Sequence, residues 1–229
     1  MRMNREQEDL IELYTRPELV ACTVWLHGLG VNATDMDAII TNMQKSRELG
    51  LHYLAPNAPL RRITVNRGQP MRAWFDVTGD PAEVPEDRAG IEESAQRITA
   101  LLDKERARGI VSEHTVIGGF SQGASLALHT ALRYPHRLGG VIVLSGELVL
   151  ADSLSGERHP ANADLPILMM HGADDETVPL EDARRSRDRL RELGHAVDWH
   201  EFPMGHTVCP EEIDILDQWT CRILEPARV

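Results

Sequence analysis

Gly119-Phe120-Ser121-Gln122-Gly123 sets a serine between two glycines, a G-x-S-x-G pentapeptide. Such a match arises by chance in roughly one unrelated chain in fifteen of this length, so its flanks carry the argument. HTVIGG before it reads as a strand, and ASLALHTALRY after it reads as a helix with apolar positions on one face. A strand-turn-helix elbow holds its serine in a strained backbone conformation and needs small neighbours. It would lift Ser121 above the carboxyl edge of a sheet, ready for nucleophilic attack on a carbonyl. The competing reading is a structural serine.

A serine hydroxyl is a poor nucleophile at neutral pH and requires a base, usually histidine, with an acid to orient it. In folds carrying this elbow the chain order is serine, acid, histidine. Of the histidines after Ser121, His129 falls within the elbow helix, His171 closes a strand and His200 lies inside one. His206 follows the strand VDWHEF in a Pro203-Met204-Gly205 turn, so its ring can swing over the sheet edge. PILMM-HGADDETVP offers Asp174, Asp175 and Glu176 just past another strand. Position does not choose among these three, which could equally be capping or solvated loop acids.

An oxyanion hole completes the chemistry, built from the N-H after the nucleophile and a second N-H after an early strand. Gln122 supplies the first. His27-Gly28-Leu29-Gly30, directly after ACTVWL, is glycine-rich enough to turn the Leu29 N-H toward the same point, unless it is simply a strand-ending turn.

Positioning these groups requires a parallel sheet covered on both faces. Strand candidates are Leu19 to His27, Leu51 to Ala55, Thr115 to Gly118, Gly140 to Leu144, Leu165 to Met170 and Ala196 to Phe202. VIVL and PILMM are apolar on consecutive positions, as buried parallel strands are. Helices are predicted over Thr34 to Leu49, residues 87 to 108, the segment after Ser121 to Tyr134, residues 181 to 193, and Pro210 to Leu224. The expected class is therefore α/β, in one domain spanning residues 1-229. Pro56 to Glu86 stands apart as a long segment with five prolines and little periodicity. It reads as a lid or binding wall, or else a plain surface excursion.

Thirty-six acidic against 24 basic residues give a net charge of -12, which repels phosphate backbones and anionic lipid, so no nucleic-acid partner is expected. The polar amino terminus lacks the apolar run of a secretory signal, and no run reaches transmembrane length, so no stable membrane insertion is expected. Cys22, Cys209 and Cys221 form no paired framework, which points to the cytoplasm. Cysteine and histidine spacings do not match a zinc site, and ADDE lacks the ligand alternation and glycine of a calcium loop. No G-x-G-x-x-G follows a strand. Neither metal nor cofactor is expected, and a homodimer is left open.

Beyond the pentapeptide, HGLG at 27, PNAP at 56, Arg72-Ala73-Trp74-Phe75-Asp76, EDRAGI at 86, GGFSQGA at 118, LSG at 144, HGADDETVP at 171 and PMGH at 203 occur in order. In these motifs the chain resembles the carboxylesterase and acyl-protein thioesterase group of small α/β-hydrolases, the phospholipase/carboxylesterase family, over nearly its whole length. The resemblance implies an α/β-hydrolase fold without a large cap domain and a carboxylesterase acting on small or lipid-like esters through an acyl-enzyme. An acyl-protein thioesterase, a lysophospholipase and a non-catalytic receptor on the same fold are the alternatives. It also implies Ser121, Asp175 and His206 as the triad, Leu29 and Gln122 as oxyanion donors, and Trp74 as a wall of the substrate groove. One departure stands out: family members often carry an aromatic residue after LSG, where this chain has Glu147.

Overall fold

Strands that are apolar on every position must be covered on both faces, and the alternation of side chains assigns each residue to one face or the other. The computed structural model describes residues 2–7, 9–79 and 84–225. Along it run β1 (Arg2–Gln7), β2 (Leu10–Tyr14), β3 (Ala21–Leu26), α1 (Asp37–Asn42), β4 (Leu51–Pro56), β5 (Leu60–Ile63), β6 (Gln69–Arg72), α2 (Arg88–Ala107), β7 (Thr115–Phe120), α3 (Gln122–Arg133), β8 (Gly140–Leu144), the single turn α4 (Leu154–Glu157), β9 (Ile167–Gly172), α5 (Leu180–Glu192), β10 (Val197–Phe202) and α6 (Pro210–Leu224).

The eight-stranded sheet has the order β1-β2-β4-β3-β7-β8-β9-β10. Its β1-β2 and β2-β4 pairs are antiparallel, and the pairs from β4 to β10 are parallel. Val141, Val143, Ile167 and Met169 face a core shared with Ile91, Ile98 and Leu102 of α2, Leu128 of α3 and Leu190 of α5. Their neighbours Ile142, Leu144, Leu168 and Met170 face the opposite core, with Ile39 and Ile40 of α1 and Leu216 and Trp219 of α6. Buried from Gln122 to Leu132, α3 lies beneath other elements as well as on the sheet. Among the described residues no helix is long and apolar enough to cross a membrane.

The core strands and four of the five expected helices are found within two residues of their expected bounds. The helix expected over Thr34 to Leu49 is instead broken into a 3-10 turn at Ala33–Met36, then α1, then a second 3-10 turn at Ser46–Leu49. After Met43 turns out of helical geometry (φ -76, ψ 78), the N-H groups of Lys45 and Ser46 donate to the Asp217 carboxylate at 2.7 and 2.8 Å. A buried carboxylate of α6 thus takes donors that a continuous helix would have used. The β1-β2 hairpin has no counterpart in the sequence reading. Within Pro56 to Glu86, β5 and β6 form a second, two-stranded sheet, and residues 80–83 lie outside the described residues.

Asp217→Ala removes the acceptor for two backbone donors. It is expected to destabilise the fold by about 2–3 kcal/mol and lower Tm by about 4–12 °C, measured by calorimetry.

Candidate active site

The parallel register brings five strand ends to one rim. Leu26 pairs with Gly119, Phe120 with Leu144, and Gly172 with Phe202, so the residues that follow β3, β7, β8, β9 and β10 emerge side by side.

Ser121 follows β7 with φ 55 and ψ -126, a conformation costing about 1–3 kcal/mol for a residue with a side chain. The neighbours hold it there. A Cβ on Gly123 would lie 2.2 Å from the Leu26 carbonyl oxygen and 2.5 Å from that of His27, and one on Gly119 would lie 2.6 Å from Leu26 O. Only glycine at both positions lets α3 start against the end of β3. The Ser121 N-H donates to Leu144 O at 2.8 Å and its carbonyl accepts from Ser125 N at 3.1 Å, which fixes the turn from both sides.

Asp175 is buried, whereas Asp174 and Glu176 on either side are exposed. Its Oδ1 accepts from the N-H groups of Thr177 and Val178, both at 2.9 Å, and its Oδ2 lies 2.7 Å from His206 Nδ1. Burial by itself raises the carboxyl, but the bond from His206 and those from Val178 and Thr177 outweigh it and hold the group below the usual carboxylate range. Asp175 is therefore an anion at neutral pH. A carboxylate beside Nδ1 fixes the proton on that nitrogen and leaves Nε2 as the free base. The loops are latched together, because Ala173 N donates to Phe202 O at 2.7 Å and Asp174 N to Met204 O at 3.0 Å. His206 packs on Phe120, the residue before the serine, with ring centroids 4.7 Å apart. His171, buried below, directs Nε2 to Val178 O at 2.9 Å and lies 3.4 Å from Asp175 Oδ2. His129 is buried in α3, where burial and then Arg133 push its imidazole down to about 3.

Leu29, Ser121 and Gln122 line one cavity of about 310 Å³. As the first residue of α3, Gln122 has a backbone N-H with no carbonyl one turn back to bind. The HGLG turn is set by His27, whose Nε2 accepts from Ala58 N at 3.0 Å. Its other ring nitrogen, Nδ1, accordingly donates to Gly28 O at 2.7 Å. Gly30 N donates to Arg72 O at 2.8 Å.

Trp74 does not form the groove wall expected of it. It is fully buried behind the site, its indole N-H donating to His27 O at 2.8 Å, and the next residue, Phe75, lines the cavity instead. The reason lies in Gln122. Its side-chain Oε1 accepts from Trp74 N and its Nε2 donates to Phe75 O, both at 2.9 Å, pulling this segment over the start of α3 with the indole inward. Asp87 adds a second tether, accepting from Asp76 N at 2.8 Å while capping α2 through Gly90 N at 3.0 Å. The sequence reading assigned nothing to the Gln122 side chain, Phe75, Asp87 or His171. All four fall within motifs quoted above, but nothing local marks the long-range partners of the Gln122 amide.

At the opposite edge of the sheet, Cys22, His52 and Glu105 bring ligand-type atoms within 4.8 Å of one another. Glu105 is already engaged there, with His52 Nδ1 at 2.7 Å and an Arg108 guanidinium nitrogen at 2.8 Å. Burial, and then Glu105, raise the Cys22 thiol well above its usual value, so Cys22 offers a thiol there rather than the thiolate a metal would take.

A parallel sheet with a strained serine elbow, a histidine-carboxylate pair and an acyl-sized cavity at its carboxyl rim defines an α/β-hydrolase. Residues 16–222 match the phospholipase/carboxylesterase family, and the chain belongs to it, as a hydrolase acting on esters. It is 34% identical over 205 residues to carboxylesterase SOBER1 of Arabidopsis thaliana, covering 88% of this chain and 90% of that protein. It is also 34% identical over 215 residues to acyl-protein thioesterase 1 of Gibberella zeae, covering 90% and 92%. The crystal structure of Arabidopsis SOBER1 superposes with a TM-score of 0.84 at 33% identity, covering 89% of this chain and 99% of that one.

Gln122→Ala keeps the backbone N-H but leaves Trp74 N without its acceptor. A loss of about 2–4 kcal/mol is expected, together with a raised KM as Phe75 loosens, read by thermal unfolding and steady-state hydrolysis.

Proposed function

We propose that the chain is a serine carboxylesterase working through an acyl-enzyme, with Ser121 as nucleophile, His206 as base and Asp175 as the orienting acid. The observation that carries this reading is the 2.7 Å contact from Asp175 to His206 Nδ1, at the same rim as a serine held at φ 55. Ser121 Oγ attacks the carbonyl carbon as its proton passes to His206 Nε2. The carbonyl electrons move onto oxygen, which the Leu29 and Gln122 N-H groups receive. As the C-O bond breaks, the imidazolium returns that proton to the leaving alcohol. Water then attacks the acyl-enzyme, gives its proton to the same nitrogen, and the acid departs with Ser121 reprotonated. Trp74 acts at one remove, as a positioning residue that holds the His27 carbonyl and hence the oxyanion turn.

A thioester substrate is the second reading, favoured by the likeness to a protein named acyl-protein thioesterase. The acyl-enzyme steps are the same, with a thiol leaving in place of an alcohol. Matched oxygen and sulfur esters compared by kcat/KM separate the two.

Ser121→Ala and His206→Ala are each expected to reduce turnover of p-nitrophenyl butyrate by about six orders of magnitude, and Asp175→Ala by about four. A fluorophosphonate should label the wild type stoichiometrically and leave Ser121→Ala unlabelled. Undiminished hydrolysis by purified Ser121→Ala would remove the serine from the mechanism.

A further inference from the structure

One end of the groove is built unlike a channel for a fatty chain. Glu147 follows Leu144-Ser145-Gly146 at the end of β8, and its backbone N-H donates to Ser125 Oγ at 3.0 Å. Ser125 is one turn of α3 beyond Ser121, bonded to its carbonyl at 3.1 Å. Glu147 is therefore anchored to the residue one helical turn beyond the nucleophile, and Ser121, Ser125 and Glu147 line the same cavity. Its side chain lines the cavity together with Glu86 and Asp182.

The three carboxylates differ in what they already hold. Glu86 accepts from Leu150 N at 3.0 Å, and Asp182 is paired with Arg185. Glu147 accepts no hydrogen bond among the described residues, although it is partly buried. The nearby cations are committed as well, Arg185 to Asp182 and Arg88 to Glu92 and Glu157. The Glu147 carboxylate remains open to the groove, and with no cation of its own among the described residues it gives this end of the groove a negative field. A cationic group entering the groove is the partner that complements this field.

We propose that Glu147 makes this hydrolase select esters carrying an ammonium group a few atoms from the scissile carbonyl, and reject long saturated chains. The inference rests on the acyl-enzyme reading of the groove. A cation there complements the acidic pocket, whereas a methylene chain would strip water from the Glu147 carboxylate without replacing its hydrogen bonds. Burial, then Asp182 and Glu86, push the Glu147 carboxyl up to about 7, with Arg185 opposing. These groups face it from α5 and from the segment before α2, and α3 contributes the neutral Ser125. The sign follows directly: above that value Glu147 is an anion and attracts the cation, and below it the proton removes the attraction.

The ammonium can sit on either arm of the ester, so two pairs of probes are compared by kcat/KM. One is p-nitrophenyl γ-trimethylammoniobutyrate against its tert-butyl isostere, and the other is butyrylcholine against its neutral carbon isostere. Wild type is expected to prefer the cation by about tenfold or more on one arm. Glu147→Gln should bring that ratio close to one, and Glu147→Asp should retain part of it. Glu147→Leu should move the optimum of a p-nitrophenyl ester series to longer chains. In wild type the ratio should rise between about pH 6 and pH 8, and in Glu147→Gln it should stay flat. Because the ratio cancels the protonation of the base, this slope reports the carboxylate alone. A wild-type ratio near one on both arms, or one that Glu147→Gln leaves unchanged, overturns the inference while ester hydrolysis stands. No Ser121-dependent turnover of any of these esters would overturn both.

Discussion

The approach of α3 to the end of β3 is the constraint on which the site depends. The helix begins against the Leu26 and His27 carbonyl oxygens, so close that a methyl group at Gly123 would lie 2.2 Å from one of them. That contact forces the chain to reverse within one residue, and Ser121 takes the positive φ that the reversal demands. The strain is held by the bond to Leu144 O and by a helix buried along eleven consecutive residues, Gln122 to Leu132. The same approach sets the helix N-terminus beside the HGLG turn, and the two proposed oxyanion donors, Leu29 and Gln122, line one cavity.

A second layer of contacts converts this junction into a groove. Gln122 is used twice: the residue lines the cavity, while its side-chain amide pins Trp74 and Phe75. The indole in turn holds the His27 carbonyl, so the HGLG turn and the wall are one hydrogen-bonded unit. Across the groove, Asp175 satisfies two backbone donors as well as His206. These bonds keep the carboxylate ionised despite its burial, and in the proposed mechanism such a partner stabilises the imidazolium.

Membership of the family leaves the groove's chemistry open, because relatives sharing about a third of their residues with this chain are named both carboxylesterase and thioesterase. The catalytic rim comes from strand ends and tight turns. The far end comes from the residue after LSG, from α5 and from the segment before α2, where this chain places Glu147, Asp182 and Glu86. The elbow and the pocket are set by different residues, so substrate class can change while the elbow stays the same.

Much was legible in the sequence because its signals are local. Consecutive apolar residues marked the buried strands, and glycines around Ser121 marked a turn that tolerates no side chain. Ser121 and His206 stood out by lying just past strands, and the family motif singled out Asp175 from its neighbours. Other features were decided only when distant segments met. β1 is polar and at the sheet edge, so its strand character comes from pairing with β2 rather than from hydrophobic pattern, and the short β2 (LIELY) is fixed in turn by its pairing with β4. The break in the expected Thr34 to Leu49 helix comes from Asp217, more than 170 residues away. Trp74 turns inward because the Gln122 amide, 48 residues on, captures its backbone. Local sequence fixes what each segment can form and which residues carry reactive groups. Which donors find which acceptors across the chain is settled by packing, since a hydrogen bond between remote residues leaves no periodic trace in either segment.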